Sequence, residues 1–132
     1  REDQVQIYQA VMRNAQGKPT QALTLSKGWL KDNRILPRGY SLSHPDVAYT
    51  RPVGVDGDES FIGGQDEVTY RVLLPEGVTP ASVKVKMVYQ TLGARFMRML
   101  FQTEVPEVAA FRTMYERAEV GPTVMFEINE SL

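Results

Sequence analysis

Asp56-Gly57-Asp58-Glu59-Ser60-Phe61-Ile62-Gly63-Gly64-Gln65-Asp66-Glu67 places acidic or hydroxyl side chains at its first, third, fifth and twelfth positions. A helix–loop–helix calcium site takes oxygens from those positions and needs glycine at the sixth for its sharp turn. Phe61 stands sixth and no helical pattern flanks the loop, so that geometry fails. An irregular calcium site built from Asp56, Asp58, Ser60 and Asp66 remains open, because clustered hard oxygens on a tight loop can still coordinate the ion. The plainer reading is a strand-entry turn, with Phe61 or Ile62 turned into a core and Gly63-Gly64 making the bend.

A second stretch, Lys27-Gly28-Trp29-Leu30-Lys31-Asp32-Asn33-Arg34-Ile35-Leu36-Pro37-Arg38-Gly39-Tyr40, gathers four cations around aromatic and aliphatic residues. Trp29, Lys31, Arg34 and Arg38 are its candidate partner-docking set: an aromatic contact framed by charges that an acidic surface would match. The alternative, which has the stronger sequence basis, is an irregular crossover. There Trp29, Ile35 and Leu36 fill a core while Lys31, Arg34 and Arg38 stay in water. The one histidine, His44, follows Ser43 and precedes Pro45 in a polar loop. Metal or haem ligation by it would require converging partners from elsewhere, so it reads as solvated.

Catalysis finds little to work with. Cysteine is absent, which removes disulfides, thiol nucleophiles, thiolate metal sites and covalent haem attachment from this chain. No nucleophile elbow occurs, and Gly63-Gly64 lacks the Lys-Ser/Thr and following helix of a phosphate loop. The expectation is a non-enzyme. With 15 basic against 16 acidic residues over 132, the charge balance gives no basic excess for nucleic acid. Apolar runs are far too short to span a bilayer.

The elements that must position these residues are mostly strands. Gln4 to Arg13, Gln21 to Lys27, Asp66 to Leu74, Ser82 to Gln90 and Thr123 to Asn129 all alternate, the clearest being Val83, Val85, Met87 and Tyr89 against Lys84 and Lys86. Between the last two the period changes. Val108, Phe111, Tyr115 and Ala118 share one side of a helix, with Pro106 in its first turn and Gly121-Pro122 beyond its end. Gly93 to Thr103 fits either a helix or a further strand. The expected fold is mainly β: an antiparallel β-sandwich, immunoglobulin-like or related, with a helical insertion near the C-terminus, residues 1–132 forming one domain.

Four segments in this order carry a family resemblance: Val5 to Met12 (VQIYQAVM), Leu30 to Tyr40 (LKDNRILPRGY), Gly63 to Val72 (GGQDEVTYRV) and Val88 to Leu92 (VYQTL). Together they resemble the C-terminal, haem-free β-rich domain of bacterial multihaem c-type cytochromes. The resemblance implies an accessory domain excised from the C-terminal end of a longer periplasmic or cell-surface protein of electron transfer. The haem c groups would be confined to the other region of that parent. It implies packing against that region or docking of redox-partner cytochromes, and carries no catalytic residue onto this chain. The rival expectation is a ligand-binding module of the carbohydrate or adhesion type, stabilised by calcium at the Asp56 loop.

Overall fold

A computed structural model describes residues 5–118 and 120–132. The chain divides into two compact units, Arg1–Arg71 and Val72–Leu132.

In the first unit, β1 (Ala10–Arg13) lies between β2 (Pro19–Thr20) and β3 (Trp29–Asp32), both antiparallel to it. The β1–β2 turn is built by Asn14, whose side-chain Oδ1 accepts the backbone N–H groups of Gln16 at 3.0 Å and Lys18 at 2.9 Å. Gly17 supplies the left-handed residue at φ 73°. Against β3 the register slips between Val11 and Met12, so Met12 faces Trp29 while Val11 faces Lys31, and Leu30 is the extra residue of a bulge. Asp32 then bridges to Val53 through two 2.9 Å backbone bonds.

Three sequence expectations change here. The Gln4 to Arg13 strand shortens to its last four residues, Gln4 itself lying outside the described part. Gln21 to Lys27 is not a strand: Leu23–Leu25 form a 3-10 turn with both leucines exposed. Hydroxyls explain it, because Thr20 Oγ1 accepts Ala22 N–H at 3.2 Å and Ser26 Oγ accepts Gly28 N–H at 3.5 Å. Such local bonds compete with a ladder. Asp66 to Leu74 also forms no strand among the described residues, and Glu67 binds the Ser60 hydroxyl in place of a neighbouring strand. Alternation makes a segment fit for a sheet, but a ladder needs a partner.

The second unit contains β4 (Ser82–Tyr89) paired antiparallel with β5 (Thr123–Ser131), and between them two helices, α1 (Ala94–Leu100) and α2 (Pro106–Arg117). One short helical turn, Val47–Thr50, belongs to the first unit. α1 resolves the ambiguous Gly93 to Thr103 segment as helix and buries Met97. α2 begins with Pro106 at its first position, where a missing N–H costs nothing, and carries Glu107 at the start and Arg117 at the end, as the helix dipole favours. Phe101, Phe111 and Tyr115 meet with ring centres 6.0 to 6.3 Å apart, joining the end of α1 to one face of α2.

The expected β-sandwich is therefore overturned. The described residues hold one sheet of three strands in the first unit and one of two in the second, and neither is a sandwich or a closed barrel. Burial agrees: among the described residues only Val11, Phe61 and Met97 are buried apolar side chains, with Thr20 and Asn33 the buried polar ones. The chain leaves 11007 Å² accessible. A folded monomer of its mass exposes about 7,000 Å², and two wholly separate halves would together expose about 8,500 Å².

Candidate functional site

Trp29 opens β3, where the bulge at Leu30 re-aims the strand, and it is 38% exposed in contrast to the core position that the crossover reading gave it. Ile35, expected beside it in the core, is exposed as well. The Arg34 guanidinium lies over the Trp29 ring at 5.8 Å from its centre. It is held there by Asp32 in a forked pair, Nε to Oδ1 at 2.8 Å and Nη2 to Oδ2 at 2.6 Å. The hydrogen bonds from Arg34 hold the Asp32 carboxyl below its ordinary value, outweighing the opposing effect of burial. The same pair raises the guanidinium's own pKa.

This fork fixes a planar cation on an aromatic face, a rigid contact element, while offsetting much of its charge. Lys31 is turned away: its Nζ donates to the Ile7 carbonyl at 3.1 Å. Arg38 packs instead against Gly64, across the loop joined by the 2.8 Å bond from Gly64 N–H to the Leu36 carbonyl. Of the four candidate docking residues, then, Trp29 and Arg34 act together, and Lys31 and Arg38 brace the segments beside them.

Two further cations lie beside this pair: Lys27, part of the basic stretch but outside the candidate set, and Arg13, which spacing did not single out. Arg13 at the end of β1 exchanges backbone bonds with Lys27 and Gly28, at 2.8 and 2.9 Å, and its guanidinium lies against Gly28 next to Trp29. Arg13 and Lys27 are both exposed. The hairpin-like alternation of the two segments was the available signal, but only the register reveals which side chains become neighbours.

The acidic loop forms a different cluster. Ser60 Oγ lies 2.7 Å from Asp58 Oδ1, 3.0 Å from Asp66 Oδ1 and 3.3 Å from the Glu67 carbonyl, so its single proton serves one of these at a time. Tyr8 donates to the other Asp66 oxygen at 2.6 Å. Burial, then the bond to Asp66, pushes the Tyr8 hydroxyl up to about 12. For Asp66, burial raises the pKa, but the hydroxyls of Tyr8 and Ser60 outweigh it and hold the carboxyl below its ordinary value. Asp56 sits on the exposed turn before this cluster and shares none of these bonds. The structure thus joins Asp58, Ser60 and Asp66, adds Tyr8, and leaves Asp56 apart. No group of three His, Asp or Glu side chains among the described residues is placed to hold a metal.

Phe61 is buried as expected and Ile62 is not, and Gly64 takes φ 92° at the bend. His44 is exposed, its Nδ1 accepting Asp46 N–H at 3.2 Å. A shallow depression of about 420 Å³ lies at the start of α2, lined by Phe101, Val105, Pro106 and Arg112 among others. No helix among the described residues is long and apolar enough to cross a membrane. Compared with protein-family models, with curated proteins and with solved structures, the chain gives no match in any of the three.

Proposed function

We propose that this chain is a non-catalytic docking module, an accessory domain of a multihaem c-type cytochrome in the periplasm or at the cell surface. In that role it packs beside the haem-bearing region or receives a redox-partner cytochrome. The observation that carries the docking role is the surplus surface. At 11007 Å² the chain exposes about 2,500 Å² more than even two separate folded halves would. Leu25, Trp29, Leu30, Ile35 and Tyr70 stand open within it, and exposed apolar side chains grouped in a patch mark interaction surfaces. The cytochrome assignment rests on the order of the four sequence segments, LKDNRILPRGY above all.

Within the first unit the contact element is Trp29 under Arg34, with Arg13 and Lys27 at its rim. An aromatic and an arginine held rigidly are the residue types that concentrate binding energy, and rim cations add steering toward an acidic partner surface. Titration against multihaem cytochromes purified from the source organism's periplasmic fraction tests this. Binding that weakens with salt and with Trp29→Ala supports the proposal; no binding at low salt overturns it.

A calcium-stabilised ligand-binding module is the second reading, favoured by the convergence of Asp58, Ser60 and Asp66. Those groups offer two carboxylates and a hydroxyl, and calcium takes six to eight oxygens, so carbonyls such as that of Glu67 would have to complete the set. Millimolar calcium should then raise the melting temperature by several degrees. An unchanged melting curve removes this reading.

A further inference from the structure

β4 and β5 form a ribbon with two chemically distinct faces. Lys84 and Lys86 both pair with Glu127, at 3.0 and 3.1 Å, on one of them. By register, Val83, Val85 and Met87 with Ile128 and Phe126 opposite, and then Tyr89, make the other. These six side chains are 41 to 59% exposed, and neither α1 nor α2 packs broadly on the strands. A two-stranded ribbon by itself is at best marginal in water and needs its apolar face covered.

We infer that a second copy of this chain covers it, two ribbons packing face to face about a two-fold axis. The area fits. Six side chains of this size, about half open, offer on the order of 600 Å². Two such faces bury about 1,200 Å² in total, the lower end of the range of stable specific interfaces.

The charge distribution fits too. The apolar face holds no lysine or arginine, and its single charge, Glu130, lies opposite Val83 at one end. A charged partner would find nothing to pair with along its length, whereas an identical apolar ribbon matches it in width and chemistry. A two-fold axis between the sheets and across the strands reverses the ribbons. Each Glu130 is then set opposite the partner's Thr123, one strand from its Tyr89, rather than near the other Glu130, a self-complementary arrangement of the isologous kind. The pairing uses no residue of the Trp29 cluster, so each proposal can fail without the other.

Sedimentation equilibrium of the full chain from about 1 to 300 µM tests it. The expected result is a concentration-dependent rise to twice the chain mass of 14.9 kDa, with no higher plateau. Ile128→Glu should abolish the dimer and Lys84→Gln, on the opposite face, should leave it intact. Should Ile128→Glu lose its strand signal in circular dichroism, the milder Val85→Thr serves, with an expected dissociation constant about tenfold higher. A monomer throughout the range, a dimer indifferent to both face substitutions, or open-ended aggregation overturns the inference.

Discussion

Tyr8 and Asp66 are 58 positions apart in sequence, yet a 2.6 Å bond joins them. Because the hydroxyl donates to a carboxylate, removing it should cost about 1 to 2 kcal/mol: Tyr8→Phe is expected to lower the urea midpoint accordingly without changing the slope. The pH dependence has two sides. Asp66 has a folded pKa below its unfolded one, so its contribution is complete above the ordinary carboxylate value and is lost as pH falls through the depressed value. Tyr8, raised from 10.0 to about 12, contributes stability that is complete below 10 and lost as pH rises through 12. Tyr8→Phe should therefore flatten stability against pH at both ends, and denaturation series at low and high pH measure it. Asn33 presents a sharper case. It is 2% exposed and exchanges two bonds with Gln9, its Oδ1 accepting Gln9 N–H at 3.0 Å and its own N–H reaching the Gln9 carbonyl at 3.4 Å. Asn33→Ala leaves the Gln9 N–H without that partner, and a loss of about 2 kcal/mol is expected in the same assay. Neither partner of Asn33 or Tyr8 could be read from spacing, since both bonds are long-range.

At the scale of elements, helix signals were legible and strand partners were not. Pro106, the three-and-four spacing through Tyr115 and the Gly121-Pro122 stop are local features that a helix satisfies internally, and α2 follows them closely. Ser82 to Gln90 and Thr123 to Asn129 also formed strands, because each found the other. Even there, the strict alternation read for Thr123 to Asn129 puts Val124 on the side of Phe126 and Ile128. A register shift between Met87 and Val88 leaves Met125 as the extra residue and turns Val124 to the side of Val88. The acidic loop, by contrast, was legible as a glycine-made bend. Gly64 at φ 92° has Arg38 Cβ 3.3 Å from where a Cβ would stand. Gly64→Ala should thus cost at least about 1 to 2 kcal/mol in thermal or chemical denaturation, from the left-handed backbone alone. Gly121, where no neighbour lies within 4 Å and φ is ordinary, provides the contrasting substitution, expected to be far milder.

For the whole molecule, composition set useful bounds: no thiol chemistry, no basic excess, no spanning segment. A 42% hydrophobic content is enough for an adequate core, and the structure instead leaves Trp29, Tyr70, Val72, Tyr89 and Phe126 open. Hydrophobic content says how much surface prefers to be buried, not whether the chain's own residues bury it. The proposed docking role rests on that difference, with Trp29 beneath Arg34 as its local centre. Trp29→Ala should weaken partner binding at least tenfold, about 1.4 kcal/mol. Arg13→Glu should act chiefly on the association rate and on the salt dependence. The most direct test is calorimetric titration of the chain against periplasmic multihaem cytochromes from its source, at about 10 and 150 mM salt, where the screening length falls from about 30 to 8 Å. Saturable binding that weakens at the higher salt and is lost in Trp29→Ala is the predicted result. No heat of binding at either salt, or binding that Trp29→Ala leaves unchanged, contradicts it.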